Sequence, residues 1–139
     1  MSERRPWGEE RPEGPHVWRT LGYQGEPPAD GRGTIEWDAS EDYSFPVDSG
    51  LIIHGGLVTT LLDTAMGAAC WSLLEEGETF LTADLRVEFF RPARPGNIRA
   101  EGRVEHRTKR IFFCAAEAFD PEGNVVAAAR CTQILRKPR

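Results

Sequence analysis

A single carboxylate lies in the middle of the most apolar stretch of the sequence. Within residues 47–74, Asp63 is the only residue with a formal charge between His54 and Glu75. A helix that is apolar on most of its faces is expected to be buried, and a buried carboxylate is costly without partners. Asp63 is therefore a candidate for a working carboxylate in a functional site. The apolar residues around it recur at helical spacing and are Leu57, Val58, Leu61, Leu62, Ala65, Met66, Ala69 and Leu73.

Three interpretations of this helix are open at the level of sequence. It could cross a membrane, but a span needs about 20 apolar residues, whereas this stretch contains an acid and is followed by glutamates at 75, 76 and 78. It could be an ordinary core helix in which Asp63 is a paired structural acid. It could also be a buried helix that delivers a carboxylate to a site, and the sequence favours this third interpretation.

Composition and charge limit the classes of function. The chain has 139 residues, 40% of them hydrophobic and 28% charged, which is typical of one soluble globular domain. Its net charge of −5 argues against a general nucleic-acid binder, which needs a strongly basic surface. The charge is uneven, because residues 85–139 carry 12 Lys and Arg against 6 Asp and Glu. This basic half leaves room for an anionic ligand such as a nucleotide phosphate.

No pattern typical of a metal site or a disulfide framework is present. Cys70, Cys114 and Cys131 are widely spaced in apolar contexts, and the three histidines complete no zinc motif. We expect three reduced core cysteines and no metal. The N-terminus lacks the apolar segment of a signal peptide, which predicts a cytoplasmic protein. Residues 1–16, rich in Pro, Gly, Glu and Arg, are predicted to be a flexible tail, and residues 17–139 a single domain.

The rest of the chain predicts an α+β fold. Residues 17–23 suit a short helical turn, and residues 40–53 a loop that leads into the long helix. The predicted order is one strand, the helix, then four strands in a meander, which gives an antiparallel sheet wrapped around one long central helix. Because the helix is apolar nearly all round, one sheet face is not expected to bury it fully, which predicts a homodimer. The strands are predicted, from their period-2 alternation, at 33–39, 81–89, 98–105, 111–119 and 125–135.

The central motif resembles a known family. Gly50-x-x-x-His54-Gly55-Gly56, with Asp63 nine residues after the histidine, is similar to the hotdog-fold acyl-CoA thioesterases of the phenylacetate-degradation (PaaI-like) type. The segments TADL and VEFFRPARPG, within residues 82–96, resemble that family's next strand and turn. Residues 120–127, DPEGNVVA, resemble its closing hairpin. The resemblance extends over roughly residues 17–135.

The resemblance implies an acyl-CoA thioester hydrolase without a separate cofactor, since CoA is part of the substrate. The backbone N–H of Gly55 would polarise the thioester carbonyl. Asp63 would be the general base that activates water, or the direct nucleophile. Thr82 would position that water or hold Asp63. His54 would shape the turn before the helix and approach the thioester.

One position departs from the family pattern. Six residues before His54, where the family usually has an Asn or Gln in the site, this chain has Asp48. An ionised Asp48 would repel both Asp63 and a developing oxyanion. Two nearby carboxylates titrate as a pair with one pKa raised, so a protonated Asp48 could donate a hydrogen bond. The alternative is that Asp48 lies outside the site.

Physical arguments agree with the implied roles. The first N–H groups of a helix lack partners within the helix, and the positive end of the helix dipole favours an oxyanion near Gly55 and Gly56. At 1.5 Å per residue, Gly55 and Asp63 lie about 12 Å apart along one helix. The groups that meet at one carbonyl must be closer. Gly55 of one chain is therefore expected to work with Asp63 of another, in a homodimer or a dimer of dimers, as in the family.

The substrate implied by the resemblance is an acyl-CoA with a medium-chain or aryl group. We expect neither nucleic acid nor a membrane as a partner. Two other functions stay open: a non-catalytic acyl-CoA-binding protein and an enoyl-CoA hydratase. The hydratase motif resembles Asp-x4-His, whereas five residues separate Asp48 from His54. Candidates for binding the substrate, including the CoA phosphates, are Gly56, Arg91, Arg94, Arg107, Lys109 and Arg110.

Overall fold

The computed structural model describes residues 16–138. It consists of one long helix on one face of an antiparallel sheet, as the sequence predicts. The predicted tail, residues 1–16, lies outside the described residues except for His16, which begins the first helix. The elements are α1 (His16–Leu21), β1 (Tyr23–Gln24), β2 (Arg32–Ala39), a 3-10 turn (Glu41–Tyr43), β3 (Ser44–Val47), β4 (Gly50–Ile53), α2 (Gly55–Trp71), β5 (Thr79–Phe89), β6 (Gly96–Arg107), β7 (Ile111–Phe119) and β8 (Val125–Arg136).

The six-stranded sheet has the order β1-β2-β6-β7-β8-β5, and all of its pairs are antiparallel. The predicted four-strand meander is therefore wrong in one respect. Strands β6, β7 and β8 form a meander, but β5 pairs with β8 and forms an edge of the sheet. The alternation of apolar residues fixes the face that each side chain occupies but does not choose a strand's neighbour.

The predicted loop at residues 40–53 is also wrong. This segment contains the 3-10 turn and a separate hairpin in which β3 pairs with β4. The backbone N–H of Ile53 donates to Ala93 O (2.8 Å) and that of His54 to Tyr43 O (3.0 Å). These bonds fix the chain immediately before α2, so the hairpin holds the start of the helix in place.

At two glycines of the sheet, helix α2 packs directly on backbone. Gly33 of β2 and Gly102 of β6 are paired opposite one another in the sheet. A Cβ added at Gly102 would come 2.8 Å from Met66 N and closer still to Ala65 O, and one at Gly33 would come 2.8 Å from Ala68 Cβ. The two glycines therefore leave a flat area on which the small side chains of α2 rest.

The core lies between α2 and the inner face of the sheet. It includes Trp37 of β2, Phe112 of β7 and the inward-facing residues of α2, all of them fully buried. The three cysteines are free and buried, as expected. Within the described part of the chain, no helix has the length and apolar character needed to cross a membrane.

The glycine contact gives a stability prediction. Gly102→Ala is expected to lower the free energy of unfolding by about 1–3 kcal/mol, because backbone atoms of α2 cannot yield to the added methyl group. Gly67→Ala is the matched control, since its Cβ would meet only the Phe80 ring, at 3.5 Å from Cζ and 3.9 Å from Cε2, which are ordinary contacts. It should leave stability unchanged or raise it slightly, because alanine favours a helix interior. Urea unfolding of both variants measures this, and equal effects would contradict the close-packing argument.

Candidate active site

The N-terminus of α2 presents one unused backbone donor. His54 is the N-cap residue, and its Nδ1 accepts the N–H of Gly56 at 3.0 Å. An accepting Nδ1 places the proton of a neutral imidazole on Nε2. The N–H groups of Leu57 and Val58 both point to His54 O. Among the described residues, the Gly55 N–H has no acceptor, so it is the donor that this helix end offers to a ligand.

A pocket of about 420 Å³ opens beside this donor. Phe89 of β5 forms the wall nearest to Gly55, and a Cβ added at Gly55 would come 3.3 Å from its ring. Phe45 and Ile52 come from the segment that was predicted as a loop, although its two short apolar runs on either side of Asp48-Ser49 are a recognisable hairpin signal. The complete lining consists of Phe45, Ile52, Ile53, Gly55, Val58, Phe89, Phe90, Arg91, Pro92, Ala93 and Val126.

Asp63 lies two turns further along α2 and is partly buried. Burial raises its pKa above the ordinary value of 3.8, and a hydrogen bond with the Thr82 side chain partly offsets that rise. The structure thus brings together Asp63 and Thr82, two of the residues that the family resemblance selects. A carboxylate whose pKa is raised is a stronger base than an ordinary one, which suits it to accept a proton near neutral pH.

A β-bulge explains how Thr82 reaches Asp63. In strict alternation, Thr82 and Leu85 would lie on opposite faces of β5. In the structure Thr82 pairs with Gln133 and Leu85 with Cys131, two residues on the same face of β8, because the register shifts between Thr82 and Asp84. The extra residue, Ala83, turns Thr82 to the inner face of the sheet. Bulges are frequent next to active sites, where they redirect a side chain.

Behind Thr82 lies a residue that the sequence analysis missed. Gln133 is fully buried, and its Oε1 accepts the Thr82 hydroxyl at 2.8 Å. Its Nε2 donates to the sulfur of Cys131 at 3.3 Å. A signal was present in the sequence, because Gln133 is the polar member of an inward-facing series in β8 that is otherwise apolar and includes Ala127, Ala129, Cys131 and Leu135.

The two halves of the predicted site do not meet within one chain. Gly55 lines the pocket, whereas neither Asp63 nor Thr82 does. Gly55 and Asp63 are about 12 Å apart along α2, at 1.5 Å per residue, which is too far for two groups that act on the same carbonyl. One chain therefore presents an oxyanion donor at one point and a carboxylate with its threonine at another.

The predicted phosphate-binding cations fall into two groups at opposite ends of the sheet. Arg91 N contacts Val126 O at the start of β8, whereas Arg110 O accepts Leu135 N near its end. The nine residue steps from Val126 to Leu135 correspond to about 30 Å of strand. Arg107, whose guanidinium lies 4.8 Å from the Phe112 ring centroid, is at the Arg110 end. Lys109 occupies the same turn and is exposed, whereas Arg94 lies with Arg91.

Arg94 is engaged by the β3–β4 hairpin. Its guanidinium donates to Leu51 O and to Ser49 Oγ, both at 3.1 Å. Asp48 lies beside Ser49 in the exposed turn of the same hairpin. Its role in place of the family's amide stays a prediction. Residues 16–138 contain no group of three or more His, Cys, Asp or Glu side chains placed to hold a metal ion.

The raised pKa of Asp63 has a consequence for stability. Above pH 3.8 the folded chain binds more protons at this carboxyl than the unfolded chain, so stability falls as pH rises through the raised pKa. Asp63→Asn removes that effect and is expected to raise Tm at neutral pH. The gain should shrink as the pH falls through the raised pKa toward the ordinary value of 3.8, because Asp63 of the wild type then becomes protonated.

Thermal unfolding followed by circular dichroism between about pH 4 and pH 8 tests this expectation. Asp38→Asn, at an exposed position of β2, is the matched control and should change Tm little over that range. A Tm of Asp63→Asn below the wild-type value at neutral pH would contradict the prediction, because it would mean that partners stabilise the Asp63 carboxylate.

Comparison with known proteins identifies the family of the chain. Residues 51–127 match the family model described as the thioesterase superfamily. The proofreading thioesterase EntH of Klebsiella pneumoniae is 27% identical over 79 residues, which cover 57% of this chain and 58% of EntH. The medium/long-chain acyl-CoA thioesterase YigI of Escherichia coli K12 is 28% identical over 97 residues, which cover 60% of this chain and 63% of YigI. The matches span less than two thirds of either relative's length.

The fold has solved counterparts. A phenylacetic acid degradation-related protein of Ralstonia eutropha JMP134 superposes with a TM-score of 0.78 and 28% identity, over 86% of this chain and 89% of that protein. The family model covers more than half of the present chain and includes Gly55, Asp63 and Thr82. The protein therefore belongs to the thioesterase superfamily and has its PaaI-like hotdog fold.

Proposed function

We propose that the protein hydrolyses an acyl-CoA thioester to a carboxylate and free CoA, in a site formed by two copies of the chain. The observation that carries this proposal is the free N–H of Gly55 at the wall of an apolar pocket. A helix N-terminus there favours the oxyanion of a tetrahedral intermediate. The relatives EntH and YigI are both named thioesterases, which supports the same reaction class.

In the proposed reaction, the thioester carbonyl oxygen accepts the Gly55 N–H while Asp63 takes a proton from a water molecule. The water oxygen attacks the carbonyl carbon, and the negative charge that develops on the carbonyl oxygen is stabilised at the helix end. The C–S bond then breaks, the carbonyl re-forms, and the proton held by Asp63 passes to the thiolate of CoA. In a direct-attack variant, Asp63 forms an anhydride that water hydrolyses, and label from ¹⁸O-water would enter Asp63.

The second copy is expected along β5. This strand is an edge of the sheet, and its backbone donors and acceptors on one side are open to another strand. Leu81, Phe89 and Phe90 are more than half exposed on or beside it. Antiparallel pairing of two β5 strands would cover these side chains and bring Asp63 and Thr82 of one chain close to the other chain. A dimer of dimers would use the apolar outer-face residues Phe113 and Ile134.

The pocket indicates the acyl group. Its volume lies in the usual range for small-molecule sites, and aromatic and aliphatic side chains form most of its wall. A medium-chain or aryl acyl group fits such a lining. Arg91 is the cation in the pocket lining and the best candidate for a CoA phosphate contact. The Arg107, Lys109 and Arg110 group would serve the same substrate only if a second chain brought it near.

The first prediction for this proposal is thiol release from a panel of acyl- and aryl-CoA esters. The wild type is expected to turn over at least one medium-chain or aryl ester, and Asp63→Asn to lose that turnover while keeping its fold and oligomeric state. Tight binding of the esters without thiol release would show a binding protein instead. Full activity in Asp63→Asn would remove the carboxylate from the mechanism.

The second prediction concerns the oxyanion donor and the shared site. Gly55→Pro removes the N–H at the first helical position, where proline is well tolerated, and the extended backbone of His54 (φ −55°, ψ 127°) suits a following proline. Gly55→Ala is the control, because it keeps the N–H and adds a Cβ near Phe89. The proline variant is expected to lose a further 10²–10³-fold or so in kcat relative to the alanine variant.

Mixing the inactive Gly55→Pro and Asp63→Asn chains, after unfolding and refolding together, tests whether the site is shared. A mixed dimer would contain one site with an intact Gly55 from one chain and an intact Asp63 from the other. Random pairing should then restore about a quarter of the wild-type activity. No recovery in a mixture that forms dimers would mean that each site belongs to one chain.

A further inference from the structure

The buried amide of Gln133 is the polar group that the proposed mechanism does not use. Gln133 is fully buried on the inner face of β8, between Thr82 of β5 and Phe112 of β7 in the adjacent strands. Its Oε1 lies 2.8 Å from Thr82 Oγ1 and its Nε2 3.3 Å from Cys131 Sγ. Thr82 also forms a hydrogen bond with Asp63. The four residues thus form a chain of contacts that runs from the sheet interior to the carboxylate.

The number of available protons allows two arrangements of the hydrogen bonds among these four residues. The Thr82 hydroxyl has one proton, whereas Gln133 Oε1 and an ionised Asp63 are both acceptors. If the hydroxyl donates to Gln133, an ionised Asp63 receives no proton from Thr82. That arrangement is complete only when Asp63 is protonated and donates to Thr82 Oγ1.

Rotation of the amide by 180° reverses every donor in the chain. The oxygen and nitrogen of a glutamine amide occupy nearly the same space, so both orientations fit the cavity. In the rotated form, Gln133 Nε2 donates to Thr82 Oγ1, and the Thr82 hydroxyl donates to the ionised Asp63. The Cys131 thiol then donates to Gln133 Oε1. Each of the three contacts in this arrangement joins one donor to one acceptor, but now with Asp63 charged.

We propose that Gln133 is a positioning residue: its buried amide orients the Thr82 hydroxyl and directs the hydroxyl proton toward the ionised Asp63 carboxylate. Gln133 acts only through Thr82 and touches neither substrate nor water. The consequence for catalysis rests on the proposed thioesterase function, whereas the consequence for the ionisation of Asp63 does not. Hydrogen bonds that form a continuous series ending on a charged group strengthen one another, so each is stronger than it would be alone.

Two further titratable groups sense the charge of Asp63. One is Tyr23 of β1, whose pKa is raised by burial first and by the Asp63 carboxylate second. The other is Cys131 of β8, whose pKa is raised by its hydrogen bond with Cys114, by burial and by Asp63. Both are therefore uncharged over the pH range in which Asp63 titrates. A titration that follows Asp63 below about pH 8 reports on this carboxyl and on the hydroxyl that faces it.

The test is the pKa of Asp63, measured from its ¹³C carboxyl resonance in protein labelled at aspartate, with Asp63→Asn used to assign the signal. Gln133→Met fills the same volume without an amide and is expected to raise the Asp63 pKa by roughly half a unit to one unit. Thr82→Val should raise it at least as much. The double variant should match Thr82→Val alone, because Gln133 acts only through that hydroxyl.

The matched control is Leu135→Met, a buried position two residues along the same face of β8. It should leave the Asp63 pKa unchanged. If it moves the pKa as much as Gln133→Met does, or if Gln133→Met still moves it when Thr82 is valine, then Gln133 acts by packing and the proposal fails. An unchanged pKa in folded Gln133→Met also overturns it. Gln133→Leu replaces the methionine variant if the latter does not fold.

Kinetics give an independent reading. With a substrate from the thioester panel, Gln133→Met is expected to lower kcat several-fold, shift the acidic limb of the pH profile to higher pH and leave KM nearly unchanged. A change confined to KM would contradict a positioning role. If the wild type hydrolyses no thioester, the proposed function fails, but the carboxyl titration still decides whether Gln133 controls Asp63.

Discussion

The contact between α2 and the paired glycines of β2 and β6 determines where every candidate group lies. At Gly33 and Gly102 the helix rests on backbone, with Ala65 and Ala68 as its nearest residues. Such a contact permits only one rotation of the helix about its axis, since any larger side chain turned toward the sheet would clash. Asp63 is two residues before Ala65, about 200° around a helix of 3.6 residues per turn. The contact therefore turns Asp63 away from the glycines.

Much of this arrangement could be predicted from the sequence. The apolar spacing around Asp63 indicated the buried helix, and strict alternation indicated the strands. The neighbour of β5 could not be predicted in this way, because a period of two assigns a face and not a partner. The position of Thr82 depends on one extra residue, Ala83, in the register with β8. A bulge leaves no composition signal, so the family resemblance selected Thr82 whereas alternation placed it on the outer face.

The site combines groups with opposite effects on stability. The glycine contacts, the buried aromatic residues and the His54 cap all favour the folded chain. Asp63 opposes folding once it is charged, because burial raises its pKa and its hydrogen bond with Thr82 recovers only part of the cost. A carboxylate held in this unfavourable state is a better base than one in water. The firmly packed helix is what allows a destabilising charge to be kept at a fixed place.

The same reasoning explains why a glutamine is tolerated in the apolar interior of β8. A buried amide that lacks partners is destabilising, but Gln133 has Thr82 on one side and Cys131 on the other. Both neighbours are hydroxyl or thiol groups, which can donate or accept. An amide between two such groups keeps one hydrogen bond on each side in either orientation, whereas a residue with only donors or only acceptors would allow a single arrangement of the hydrogen bonds. In the proposed rotation the amide therefore keeps a hydrogen bond with both neighbours while the charge of Asp63 changes.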